Sequence, residues 1–144
     1  YILTMGGEGL KNASRYAVLN ANYIKEKLKD TYFLPYDQPC MHECVFSDQN
    51  QKEKHATTLD IAKRLIDYGF HPPTIYFPLI VNGAIMVEPT ETESKEDIDR
   101  FIEAMKTIAA EIEQNPEQLH KSPEFTKVRR LDEVSAARKP CLTC

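Results

Sequence analysis

Between residues 7 and 29, apolar side chains recur at Leu10, Ala13, Ala17, Ala21, Ile24 and Leu28. The spacing of three and four predicts an amphipathic helix with one stripe turned to a partner. Half of the stripe is alanine, so whatever packs there comes close. Glu8-Gly9 marks the expected start, and Lys25, Lys27 and Lys29 suit the negative end of the helix dipole. Short strand-like runs follow at Tyr32-Phe33-Leu34 and Glu43-Cys44-Val45-Phe46, the second leading into a polar turn from Ser47. Thr57 or Thr58 is placed to cap a second helix with Leu59, Ala62, Leu65 and Ile66 inward. Gly69 is placed to end it in the left-handed conformation, with Phe70 folding back.

Ile75-Tyr76-Phe77 lies between Pro72-Pro73 and Pro78, so it can be extended but not a central strand. Ala84-Ile85-Met86-Val87 reads as a buried strand. Ser94 and Asp97 form an aspartate variant of the capping box for a third helix. Its stripe of Ile98, Phe101, Ile102, Met105, Ile108, Ala109 and Ile112 is the clearest periodicity in the chain, and Asn115-Pro116 ends it. From 116 to 144 the periodicity stops, and an extended or disordered tail is expected. Helices and short strands without regular β-α-β alternation indicate a two-layer α+β domain with a short, mostly antiparallel sheet and helices on one face.

The 144 residues suit one compact domain, and the balance of 42% hydrophobic to 28% charged residues is that of a soluble globular protein. A net charge of −4 disfavours nucleic acid or an anionic membrane as a partner. No apolar run approaches a membrane span, and the amino terminus lacks a secretory pattern, so a cytoplasmic location is expected. The first residues, Tyr1-Ile-Leu-Thr-Met, read as the interior of something longer.

Cys40, His42 and Cys44, with Cys141 and Cys144, have spacings compatible with zinc. The first group falls where a strand is expected and the second at the chain end, so free thiols and no metal site are expected. A redox role for Cys141 and Cys144 needs a helix amino terminus that the chain end does not supply. His42, His55, His71 and His120 have no nucleophile at a motif spacing, and no P-loop or dinucleotide fingerprint occurs. Gly6-Gly7-Glu8-Gly9 suits helix entry better than phosphate binding. Glu88, Thr90 and Glu91 crowd a strand-to-helix connection that is either an acidic helix start or the polar rim of a cleft.

Three blocks carry a family resemblance: Asp60-Ile-Ala-Lys-Arg-Leu-Ile-Asp-Tyr-Gly-Phe70, His71-Pro-Pro-Thr-Ile-Tyr-Phe-Pro-Leu79 and Met86-Val-Glu-Pro-Thr-Glu-Thr-Glu-Ser94. They resemble the carboxy-terminal region of glycine dehydrogenase (decarboxylating), the P-protein of the glycine cleavage system. Ala17-Val-Leu-Asn-Ala-Asn-Tyr23 and Met41-His-Glu43 agree. The short stretch after the third helix resembles the bacterial two-subunit form, in which this region ends subunit 2.

The resemblance implies the small domain of a fold-type I pyridoxal-phosphate enzyme. Residues 1–29 would end the connecting helix, 30–115 form the small α+β domain, and 116–144 the tail. It implies that the full enzyme decarboxylates glycine and passes the aminomethyl group to the lipoyl carrier H-protein. The implied partners are the chain's own large cofactor-binding domain, the other P-protein subunit, the carrier and glycine. The cofactor lysine of the family lies in the large domain. His120-Lys121 is no substitute, because it sits between Pro116 and Pro123 where a lysine stays solvated and protonated. This chain is therefore expected to bind no pyridoxal phosphate, to hold no catalytic residue and to be inactive alone. His71, Thr74, Glu88, Thr90 and Glu91 are expected to face the substrate cleft. No arginine occurs from Ala84 to Thr92, which suits a reaction that must lose a carboxylate rather than hold it. The other readings of the residues are a stand-alone α+β binding or regulatory module and a metal-stapled interaction domain.

Overall fold

The computed structural model describes residues 1–142. Its elements run α1 (Ile2–Leu28), β1 (Cys44–Ser47), α2 (Gln49–Lys52), α3 (Thr58–Asp67), β2 (Thr74–Ile75), β3 (Ala84–Val87), α4 (Lys95–Gln114), α5 (Pro116–Lys121) and α6 (Glu133–Arg138). The architecture is α+β. Three antiparallel strands lie in the order β1-β3-β2, with Cys44 opposite Val87 and Phe46 opposite Ile85. The central strand is β3, buried throughout. The proline-bracketed β2 takes an edge, where a withheld backbone donor costs no ladder bond.

The core forms where Cys44 and Phe46 of β1 and Ile85 and Val87 of β3 meet the helices. These alternate side chains share one sheet face. Against them pack Ile24 and Leu28 of α1, Ile61 and Leu65 of α3, and the stripe of α4 from Ile98 to Ile112. Each such side chain, fully buried, contributes about 1.5–3 kcal/mol. Tyr32 is buried with its hydroxyl donating to the Met105 carbonyl at 2.8 Å. No helix among the described residues is long and apolar enough to cross a membrane.

The caps follow the expected chemistry. Thr57 and Asp60 form a reciprocal capping box on α3, and the Ser94 hydroxyl accepts from the Asp97 amide at the start of α4. At the end of α3, Gly69 takes φ 81°, while Gly69 N–H bonds Ile66 O and Phe70 N–H bonds Leu65 O, both at 3.0 Å. That is the Schellman arrangement, and it aims the Phe70 ring at Phe101, 5.6 Å away and edge-on.

Three segments differ from the sequence reading. The main helix of α1 starts after Gly6, near residue 7 as expected, but Ile2–Met5 add a helical turn ahead of it, joined across a non-helical kink at Gly6 with φ 61°. The polar turn after Ser47 closes as the single-turn helix α2. Residues 116–123 are neither extended nor without structure: Pro116 opens α5, and Leu119, Ser122 and Pro123 are buried.

Helix α3 holds this segment through two carboxylates. Asp67 accepts from the Glu124 and Phe125 amides at 2.7 and 3.0 Å. Asp60 accepts from Arg130 at 2.6 Å, and Arg130 also donates to the Ser122 and Leu119 carbonyls. Burial alone would raise both carboxyls, but the donors around them outweigh it and hold both below the usual range. Glu111 is depressed in the same way, with Arg64 and Tyr68 outweighing its burial. A carboxylate whose pKa falls on folding stabilises above its unfolded value, and that stability disappears as pH drops through the folded value. The melting temperature is therefore expected to fall steadily below about pH 4. Asp60→Asn should flatten the decline, and a melting temperature indifferent to pH from about 5 to 2 would contradict this account.

Candidate functional site

The pairing of β2 with β3 sets Thr74 opposite Met86. The chain entering β2 through His71-Pro72-Pro73 therefore runs beside the chain leaving β3 at Glu88-Pro89. Between them and the first turns of α4 opens a pocket of about 480 Å³. Its floor is apolar, built from Ile24, Phe70, Met86, Ile98 and Phe101. His71, Thr74, Glu88, Glu93 and Asp97 supply its polar lining. Two prolines stiffen the His71 side, so this wall keeps its shape at little entropic cost.

The electrostatics are one-sided. Three carboxylates stand against one imidazole, and neither lysine nor arginine lines the pocket. Hydrogen bonding from Ser94, with Arg100 adjacent, holds Asp97 below the usual carboxylate range, so it stays ionised at neutral pH. Such a pocket receives hydrogen-bond donors and cations, and it gives a free carboxylate nothing to pair with.

Of the five expected cleft residues, His71, Thr74 and Glu88 come together here. Thr90 and Glu91 do not line this pocket. The Thr90 carbonyl accepts from the Asn20 amide at 3.0 Å, and its hydroxyl pairs with Thr92 at 2.7 Å. Glu91 accepts from the Tyr1 hydroxyl at 2.9 Å and lines separate clefts along α1. Both therefore tie the turn to α1. Glu93 and Asp97 were missed as lining residues. Glu93 lies inside the block Met86–Ser94, but for both residues proximity to the cap of α4 reads by itself as dipole complementation.

His42 joins the neighbourhood from a different direction. Its Nε2 lies 3.8 Å from Glu88 Oε1 and 4.0 Å from Glu43 Oε2. The loop that carries it is fixed by Asn22, whose Nδ2 donates to the Cys40 carbonyl at 2.7 Å while its Oδ1 accepts from the Cys40 amide at 3.1 Å. The strand starts only at Cys44, so Cys40, His42 and Cys44 do not alternate along one extended face as expected. Burial raises both the Cys40 and the Cys44 thiols, which opposes the thiolate form a zinc ligand needs. Cys141 is exposed, and Cys144 lies outside the described residues. The potential ligand atoms of His42, Glu43 and Glu88 come within 4.8 Å of one another, but on an open surface.

Two lysines bear on a cofactor role. Lys121 is exposed at the end of α5, away from the pocket lining, while neighbouring His120 points Nδ1 to Asp60 at 3.3 Å. Lys25 is buried, but it lies 3.1 Å from Asp37 and 3.3 Å from Glu26. Burial pulls its pKa down, yet these partners prevail and hold the ammonium charged. The glycine run of residues 6–9 lies inside α1 and forms no phosphate cradle. These residues do not fit a pyridoxal-phosphate centre.

A family model described as glycine dehydrogenase, C-terminal domain, matches residues 13–127. The probable glycine dehydrogenase (decarboxylating) subunit 2 of Oceanobacillus iheyensis is 60% identical over 142 residues, which is 99% of this chain and 29% of that protein. The proteins of the same description from Caldanaerobacter subterraneus subsp. tengcongensis and Listeria innocua are 62% and 61% identical with the same coverage. The chain thus spans under a third of the length of these relatives.

Proposed function

The chain belongs to the glycine dehydrogenase C-terminal domain family, and from that premise we propose that it is the small, substrate-side domain of a cytoplasmic glycine decarboxylase. In this reading residues 1–29 end the connecting helix, residues 30–115 form the small domain, and the segment from 116 is strapped onto α3. The whole enzyme decarboxylates glycine and delivers the aminomethyl group to a lipoyl carrier H-protein, together with the other P-protein subunit. Pyridoxal phosphate supplies the electron sink and is held by the large domain.

The observation that carries the reading is that two of the family-like blocks, around His71 and around Glu88, form opposite walls of one pocket. This chain's part is to shape and dry the substrate side of the site. His71, which bears the one imidazole in the lining, can donate or accept a proton at the rim. Glu88 presents a carboxylate beside His42 that can accept from an N–H donor, and Thr90 and Glu91 position the turn by holding it to α1. The acidic lining, without arginine, leaves the glycine carboxylate without an ion pair in this domain. A tight pair would stabilise the group that must depart.

In the reconstituted full-length enzyme, His71→Ala is expected to reduce glycine turnover at least tenfold, about 1.4 kcal/mol of transition-state stabilisation. The melting temperature should hardly move, since the side chain is exposed. Asn20→Ala, which removes the donor to the Thr90 carbonyl, serves as the positioning control, with a smaller loss of turnover. If His71→Ala loses stability in step with activity, the residue is structural and the cleft assignment fails.

A further inference from the structure

The sixteen residues between His71 and Glu88 contain no charged side chain, in a chain where charged residues make up 28%. They include the edge strand β2 and the connection that follows it. In that connection Tyr76 is 48%, Phe77 53%, Leu79 86% and Ile80 78% exposed. Large apolar residues scattered singly over a surface need no explanation, but four within five positions form a patch. Natural edge strands are usually guarded by lysine, by other charges or by a covering element, and β2 has no charged guard.

The connection is nonetheless built to hold one shape. The Tyr76 amide donates to the Ala84 carbonyl at 2.8 Å, and the Val81 amide to the Pro78 carbonyl at 3.0 Å. Val81 turns inward and is buried, which anchors the far end. Tyr76 holds φ 59°, a left-handed conformation that an aromatic residue adopts only where its surroundings enforce it. A fixed backbone that presents uncharged apolar side chains resembles the centre of a permanent interface, where charges are depleted.

We propose that the connection 76–80 is the face on which this domain docks against the preceding part of its own polypeptide. The proposal rests on the family reading above. The chain spans 29% of its relatives' length and matches a domain described as C-terminal, so most of such a polypeptide precedes it. A tethered partner is present at high effective concentration from synthesis onward, so a charge-free patch can stay covered throughout the life of the protein. A partner that arrives and leaves would favour a more polar face.

The test uses the longer polypeptide that carries this domain at its carboxy end, purified without any second subunit. Leu79→Cys is labelled with a maleimide and read by peptide mapping, which separates it from other thiols. Labelling is expected to be at least about a hundredfold slower in the native protein than in urea, at every protein concentration. Native labelling as fast as in urea overturns the proposal. So does protection that appears only when the second subunit is added, or protection lost on dilution, which would assign the face to another subunit or to a second copy. Should the variant fail to fold, hydroxyl-radical oxidation of wild-type Tyr76 and Phe77 gives the same comparison. Glycine turnover plays no part in this readout. A polypeptide that protects the loop yet leaves glycine untouched after the second subunit, the cofactor and the carrier are restored would refute the proposed function and leave the docking face standing.

Discussion

Arg64→Ala is expected to destabilise the domain by about 3–5 kcal/mol, because it removes the cation from a buried charged network. The Arg64 side chain is 8% exposed and sends Nε and Nη2 to the two oxygens of Glu111 at 2.9 and 2.8 Å. Its Nη1 reaches Asp67, whose side chain is 1% exposed, at 3.3 Å. Tyr68 donates to Glu111 at 2.8 Å, so the guanidinium organises three partners that join α3 to α4. Without it, two carboxylates stay at low exposure with fewer donors, and that desolvation is most of the cost. For a chain of this size the melting temperature should fall by about 10 °C or more. Arg64→Lys keeps the charge but loses the planar fork, so it should recover only part of the loss. Combining Arg64→Ala with Glu111→Ala should cost less than the sum of the two. Additive losses would show that the pair does not act as a unit.

Gly83→Ala is the second large effect, expected at about 3 kcal/mol. Gly83 takes φ 64°, and a Cβ there would sit 1.9 Å from Asp48 Oδ1 and 2.5 Å from its Cγ. The left-handed backbone alone costs a residue with a side chain about 1–2 kcal/mol. Asp48 cannot simply swing away: it is buried, and its Oδ2 accepts from the Thr58 amide at 3.0 Å. Displacing it leaves that amide unpaired, which adds about 1–3 kcal/mol. Gly69→Ala is the internal comparison. Gly69 also has positive φ, but an added Cβ meets nothing within 4 Å, so only the backbone cost applies. Thermal melts of the two variants separate the terms, and equal losses would mean that Asp48 yields freely.

What could be read from the sequence was what local chemistry decides. The cap at Thr57, the Gly69 terminus and the α4 stripe depend on residues within a turn or two of one another, and each stands as expected. The docking of residues 122–130 was illegible because it hangs on Asp60 and Asp67 meeting partners up to seventy positions away. A single polar contact leaves no periodic trace. The same holds for His42 beside Glu88, which only the folded sheet brings together. Thr90 and Glu91 were read with Glu88 because they adjoin it. The chain turns after Pro89, however, and adjacency in sequence is not adjacency at a pocket.

Asn22 carries a consequence for tolerance to change. Its side chain acts as a one-residue stand-in for a neighbouring strand, giving a donor and an acceptor to the carbonyl and amide of the same residue, Cys40. Among side chains of that length, only an amide has both. Aspartate matches it in size and shape but brings a negative oxygen against the Cys40 carbonyl. Conversion of that one nitrogen to oxygen, by mutation or by slow hydrolysis, would release the loop that sets His42 beside Glu88. A one-atom change at a neutral helix residue outside the pocket lining would therefore be felt at the His42 loop.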